Sequence, residues 1–209
     1  MAILAGAVMT TFDPSLQEQL LGTAQVVVAD IDYARNLAVT NNSRYKLTFE
    51  PSQNRYYLEH SGTNPSLDAL PASAFRLASD PATRQTTDLA ALPTGTADLE
   101  LLLAVQQDEA GTLLKEVNDA EFTPLGGTSR TQPTVIWLAA GVGDARRYIS
   151  IRIDAVTGLA SIGPLATLAP ALPKSFVAPS TTSPSDAAPT DPTAAPLGSN
   201  PPATGLPSY

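Results

Sequence analysis

The first forty residues constrain the fold most, because an uncharged apolar segment runs directly into the pattern of an amphipathic helix. Residues 1–12 carry no charged side chain. Asp13 is a good N-cap and Pro14 suits the first helical position, so we predict a helix over residues 13–41. Apolar residues then recur at steps of three and four, the spacing of one helix face. They are Leu16, Leu20, Leu21, Ala24, Val27, Val28, Ile31, Ala34, Leu37 and Ala38.

The apolar segment is too short to cross a bilayer by itself. Twelve helical residues extend about 18 Å, whereas a span needs about 20 residues. The segment also lacks the basic flank of a signal peptide. Two interpretations stay open: a buried first turn of a soluble domain, or the rear part of a longer apolar segment that begins upstream of Met1.

Short antiparallel strands are predicted after the helix. Residues 45–49 and 55–59 alternate with period two around a turn at Pro51, which indicates a hairpin. Further strands are predicted at 99–105 and 113–117 (a second hairpin), 134–138, 147–154 and 159–162. Residues 61–93, rich in Pro, Ser, Thr and Asp, are expected to form a long surface excursion. The predicted fold class is α+β, a long N-terminal helix packed on antiparallel β-sheet.

The last forty residues have the composition of a disordered tail. Ten of the 19 prolines lie between Pro170 and Pro207, among Ala, Ser and Thr. Such a segment buries too little apolar surface to offset the entropy of ordering it. We therefore predict one folded domain over residues 13–168, with its sheet over 45–163, and a disordered Pro/Ala/Ser/Thr-rich tail over 169–209.

Composition limits the possible functions. The net charge of −8 makes nucleic acid a poor partner, because phosphate contacts need clustered Lys and Arg. The chain has no cysteine, which excludes disulfides, thiolate zinc sites and thiol nucleophiles. His60 is the only histidine, and its place at a strand end is ordinary for a loop residue. The sequence contains no P-loop and no G-x-S-x-G or G-x-G-x-x-G motif. We predict no catalytic residue, no cofactor and no metal site, and hence no enzyme.

Two groups of charged residues remain as weaker candidates. Asp108-Glu109 and the acidic residues of 116–121 could hold calcium through oxygen ligands, although solvated turns are the commoner role of such residues. Arg146, Arg147 and Arg152 form a small basic group. We expect these arginines to pair with nearby carboxylates.

Three parts of the chain resemble GspH/FimT-type minor pseudopilins. MAILAGAV at residues 1–8 is similar to the rear half of the prepilin N-terminal segment. Tyr33-Ala34-Arg35, Ala38-Val39 and Asn42 fill the pattern with which the helix of that family ends before its first strand. The strand over 147–154, with Asp154, Thr157 and Gly158, resembles the family's C-terminal hairpin, where a tight turn needs glycine.

The resemblance implies a pilin-like fold and a structural role in a type II secretion or type IV pilus-like assembly. It implies contact with other pilin or pseudopilin subunits through the N-terminal helix, and a place at the bacterial inner membrane and periplasm. Membrane attachment would require an upstream segment, and the chain as written would be soluble. The alternatives are a DNA-binding minor pilin of an uptake system, using Arg146, Arg147 and Arg152, and a soluble envelope domain of unknown binding function.

Overall fold

The computed structural model describes residues 15–71, 79–93, 98–107, 110 and 112–170. Within this part of the chain lie one α-helix, α1 (Leu16–Thr40), and nine β-strands. The strands are β1 (Tyr45–Glu50), β2 (Arg55–His60), β3 (Arg84–Asp88), β4 (Glu100–Gln107), β5 (Leu113–Val117), β6 (Asp119–Phe122), β7 (Thr134–Ala140), β8 (Arg147–Ile153) and β9 (Ala160–Ile162). The predicted apolar segment 1–12 and nearly all of the predicted tail lie outside the described residues.

A capping box starts α1. Ser15 Oγ accepts from the Glu18 N–H at 3.3 Å, and Glu18 Oε2 accepts from the Ser15 N–H at 2.8 Å. The two bonds satisfy N–H groups that have no partner inside the helix. The N-cap is therefore Ser15, two residues later than the predicted Asp13. The helix ends where Asn42 adopts the left-handed conformation, with φ 48°.

The strands form two antiparallel sheets. The four-stranded sheet has the order β3-β2-β1-β6, and the five-stranded sheet has the order β5-β4-β7-β8-β9. Both predicted hairpins are present, as β1–β2 and β4–β5. The predicted face of β8 is confirmed, because Ile149, Ile151 and Ile153 are buried while the residues between them are not.

Two strands are absent from the sequence prediction. β3 lies inside the predicted surface excursion, and β6 lies among residues considered as acidic calcium ligands. β3 (RQTTD) has no aliphatic alternation, so its pattern does not indicate a strand. Asp80 stabilises β3 in the sheet. Its carboxylate accepts hydrogen bonds from the Thr86 N–H at 2.7 Å and from Thr86 Oγ1 at 2.8 Å.

The core lies between α1 and the two sheets, which confirms the predicted fold class. The buried helix residues are Leu20, Thr23, Ala24, Val27, Ile31, Ala34, Leu37 and Ala38. Burial of each large aliphatic side chain contributes about 1.5–3 kcal/mol. Leu21 departs from the prediction, since 43% of it is exposed. No helix in the described residues is both long and apolar enough to cross a membrane.

Candidate functional site

The side chain of Arg35 joins α1 to two loops. Its Nε donates to the Gly126 carbonyl at 3.1 Å and to the Thr157 carbonyl at 2.8 Å. Gly126 lies between β6 and β7, and Thr157 lies in the turn between β8 and β9. We call this arrangement the Arg35 clasp. It holds the last turns of the helix against the β6–β7 loop and the β8–β9 turn.

The loops that receive Arg35 depend on glycine. Gly126 and Gly158 have φ values of 86° and 66°, which side-chain-bearing residues rarely adopt. A Cβ at position 158 would overlap the Gly126 carbonyl oxygen. The Arg35 pattern and the Asp154–Gly158 turn, which carry two parts of the sequence resemblance, are therefore in direct contact. The sequence alone does not show that they meet.

Asp154 organises the turn. Its Oδ1 accepts from the Thr157 N–H and from Thr157 Oγ1, both at 2.8 Å, and from the Val156 N–H at 3.1 Å. These bonds, from Thr157 above all, lower the pKa of Asp154 because they favour the charged carboxylate.

A second polar contact fastens α1 to the four-stranded sheet. Asp30 Oδ2 accepts from Tyr56 Oη at 2.7 Å and from Thr87 Oγ1 at 2.9 Å. We call it the Asp30 contact. Burial raises the pKa of Asp30, and the two hydroxyl donors offset part of that rise. Burial also raises the pKa of Tyr56 well above its usual value, and the charge of Asp30 adds to the effect.

The three arginines considered for DNA binding are placed differently from one another. Arg146 Nη2 donates to Glu100 Oε2 at 2.6 Å, which is the carboxylate pairing that the sequence analysis expected. Arg147 Nη1 donates to the carbonyls of Asp144 and Arg146, both at 2.9 Å. Arg152 lies close enough to Asp154 to favour its charged form. Two of the three guanidinium groups are thus engaged within the chain.

Two of the acidic residues considered for calcium, Asp119 and Glu121, have protein partners. Glu121 Oε1 accepts from Ser61 Oγ at 2.8 Å, and its other oxygen lies 3.7 Å from Arg44 Nη1. Asp119 accepts from Arg130. In the described part of the chain, no group of three or more acidic or histidine side chains could hold a metal ion. Asp108 and Glu109 lie outside it.

His60 occupies a position that the sequence analysis did not anticipate. Its Nε2 lies 2.7 Å from Ser43 Oγ, and its Nδ1 lies 2.7 Å from Asp68 Oδ1. The imidazole is buried, and the ring of Tyr45 packs edge-on against it with the ring centres 5.1 Å apart. We call this the Ser43–His60–Asp68 array. Its members come from the α1–β1 connection, the end of β2 and the loop after it, so no local motif marks them.

A polar depression lies beside the array. It has a volume of about 410 Å³ and is lined by Ser43, Arg44, Ser61, Gly62 and Thr63, among others. Gly62 lies against the Ser–His pair, because a Cβ there would overlap Ser43 Oγ and lie 2.7 Å from His60 Nε2. The absence of a side chain at position 62 therefore leaves room for the serine hydroxyl at the wall of the depression.

Comparison with known proteins gives structural similarity only. No family model matches the chain, and no curated protein matches it. Similar solved structures include the type IV minor pilin FimU of Pseudomonas aeruginosa, strain PAO1. The two sequences are 18% identical, the match covers 71% of this chain and 90% of that chain, and the TM-score is 0.41. Another is the minor pseudopilin EpsH from the Type 2 Secretion System of Vibrio cholerae, with 9% identity, coverage of 69% and 95%, and a TM-score of 0.45. One of these proteins is a minor pilin and the other is a minor pseudopilin.

Proposed function

We propose that this chain is a structural minor subunit of a pilin-like assembly, of the type II secretion or type IV pilus kind. The observation that carries the proposal is the position of α1. The helix is packed against both sheets, and the uncharged apolar residues 1–12 precede it by only three residues. An apolar segment placed in this way can pack against the same segment of neighbouring subunits while the sheets remain in water.

The attachment of α1 suits a helix that carries load between subunits. Asp30 fastens it to the four-stranded sheet, and Arg35 fastens it to the β6–β7 loop and the β8–β9 turn. Buried apolar residues extend along the helix from Leu20 to Ala38. Sliding or rotation of α1 would break both polar contacts and expose the apolar stripe. A force applied at residues 1–12 would therefore reach the sheets.

Leu21 is the residue of α1 that we propose contacts a neighbouring subunit. It is partly exposed close to the front of α1 and takes no part in the buried core. We assign it to the contact with a neighbouring subunit. In this proposal the subunits associate at the bacterial inner membrane, with the sheets in the periplasm.

Site-specific cross-linking tests the proposal, because the chain has no cysteine to remove. Leu21→Cys is the test variant. Ser52→Cys, an exposed position in the turn between β1 and β2, is the matched control. Each gene is expressed in the source cells together with its native assembly system, and adducts of a short bis-maleimide or a maleimide–photoreactive reagent are identified by mass spectrometry.

We expect position 21 to give adducts with proteins that carry a prepilin-type apolar helix, and position 52 to give none. Equal adducts from both positions, or no adduct from position 21 in assembled material, would contradict the proposal. A second variant, Ile3→Asp with Leu4→Asp, should abolish co-fractionation with the assembly. Thermal unfolding of this variant, measured beside the wild type, checks that the fold is kept.

A further inference from the structure

We propose that the Ser43–His60–Asp68 array is a serine acyl-hydrolase site that cleaves short polar esters. The inference goes beyond the structural role proposed above and does not depend on it. It also departs from the sequence-based expectation that the chain carries no catalytic constellation. The observation behind it is a nucleophile, a base and an orienting acid held within hydrogen-bond distance of one another in that order.

The partners of the imidazole define the role of each ring nitrogen. In the proposed site Asp68 is ionised and the imidazole is neutral, so His60 Nδ1–H donates a hydrogen bond to Asp68 Oδ1, 2.7 Å away. In this tautomer His60 Nε2 has a free lone pair and accepts a hydrogen bond from the hydroxyl of Ser43, also at 2.7 Å. The edge-on ring of Tyr45 restricts rotation of the imidazole. This is the tautomer that a general base for serine requires.

Access to the serine comes through the depression. Ser43 and Gly62 both line it. Within the described residues, the N–H groups of Gly62 and Thr63 donate no hydrogen bond to the protein. In the proposal, one of these groups donates to the oxyanion formed at an acyl carbon bound to Ser43.

The reaction balances without any further reagent. Ser43 Oγ forms a bond to the ester carbonyl carbon as its proton passes to His60 Nε2. The bond from that carbon to the alcohol oxygen then breaks, and the proton moves to the departing oxygen. Water next gives a proton to His60 Nε2 and attacks the acyl carbon. The carbon–Oγ bond breaks, and the proton returns to Ser43, so that ester and water become acid and alcohol.

The lining of the depression indicates the substrate class. Ser61 and Thr63 are polar, and Arg44 has a side chain that is 57% exposed. Glu121, 3.7 Å from Arg44, offsets part of its charge. Such a surface offers hydrogen bonds and little apolar area, so it fits a small ester with polar substituents better than a long acyl chain.

Covalent labelling tests the proposal on the full chain. The probe is a small fluorophosphonate, which reacts with activated serines, and the readout is intact mass followed by peptide mapping. We expect one adduct per chain, on Ser43. Ser43→Ala should lose it, and Ser52→Ala should keep it, because Ser52 is an exposed serine in the turn between β1 and β2 and does not line the depression.

Absence of an adduct on folded wild-type protein would overturn the proposal. So would adduct formation that is unchanged in Ser43→Ala. Circular dichroism of each variant excludes misfolding as the cause of a loss. None of these outcomes bears on the cross-linking experiment, so the two proposals can fail separately.

Hydrolysis of p-nitrophenyl acetate separates the roles of the other two residues. His60→Gln should lower kcat by at least about 100-fold, as expected for loss of a general base. Asp68→Asn should lower kcat with little change in KM, because the imidazole loses the acceptor that fixes its orientation. A variant whose kcat per folded molecule equals that of the wild type would contradict the positioning role assigned to Asp68.

Discussion

Two residues five positions apart fasten the same helix by opposite means. Asp30 is a partly buried acceptor that receives two hydroxyl hydrogen bonds from the four-stranded sheet. Arg35 is a donor that bonds two backbone carbonyls in loops. The first contact contains a titratable group whose charge is costly to bury. The second contains no group that titrates near neutral pH, and it depends instead on loop geometry that only glycine readily adopts. One attachment is thus sensitive to pH, and the other is sensitive to backbone conformation.

The largest expected effect is on the loops of the Arg35 clasp. Gly158→Ala places a Cβ at φ 66° and against the Gly126 carbonyl, so we expect a loss of about 3 kcal/mol in the free energy of unfolding. Gly143→Ala is the control, because it has φ 56° but nothing within 4 Å of the new Cβ and should cost about 1 kcal/mol. Urea unfolding followed by the fluorescence of Trp137 measures both. Equal losses would show that overlap with Gly126 adds nothing to the backbone strain.

Removal of the guanidinium itself should have a smaller effect. Arg35→Met keeps the aliphatic part of the side chain but leaves two carbonyls without their donor, at a cost of about 2 kcal/mol. Arg44→Met removes an exposed guanidinium from a 3.7 Å pair and should cost less than about 0.5 kcal/mol. The same urea titration compares the two variants. A difference below the error of the measurement would mean that Arg35 does not hold the loops.

The Asp30 contact should affect the pH dependence of the free energy of unfolding more than its magnitude. Because the pKa of Asp30 in the folded protein lies above its ordinary value of 3.8, the folded state binds its proton more tightly than the unfolded state. This group therefore makes the protein more stable as pH falls through the folded pKa towards 3.8. Asp30→Asn removes that contribution and changes stability by about 1 kcal/mol. The stability of the wild type relative to Asp30→Asn should rise as pH falls from 7 to 4.

Asp154 should behave in the opposite way with a still smaller effect. Its pKa lies below 3.8 in the folded protein, so its contribution is present above 3.8 and is lost as pH falls through the folded pKa. Asp154→Ala should cost less than about 1 kcal/mol at pH 7. The stability of the wild type relative to this variant should fall below pH 4. If both aspartate variants show the same sign, burial is not the dominant influence on Asp30.

The elements that sequence predicts best are those with a strong local pattern. The stripe of α1 and the isoleucine alternation of β8 repeat with the period of their structures, and both are confirmed. The exceptions on the helix are Leu21, which is exposed, Leu16 and Val28, which are partly buried, and Thr23, which is buried without having been predicted. The β1–β2 hairpin is confirmed as well, since its turn chemistry lies within four residues. Local patterns of this kind report which face of an element is buried.

The parts that sequence does not predict depend on contacts between distant residues. β3 pairs with β2 although its own residues are polar, because Asp80 and the neighbouring strand satisfy its backbone and Thr86. Ser43, His60 and Asp68 are separated by 17 and 8 positions and lie in no motif. No spacing rule brings them together. Their meeting follows from the β1–β2 pairing and from the path of the next loop.

The sequence by itself determined that this chain has an uncharged apolar front, an amphipathic helix, antiparallel strands and a proline-rich end, because hydrophobic period and turn chemistry are local properties. The tertiary structure decided which loops Arg35 holds, that strands fall into two sheets, and that the only histidine lies between a serine and an aspartate. Those outcomes depend on pairs such as Arg35 and Thr157, 122 residues apart. Their geometry is set only when the helix packs on the sheets.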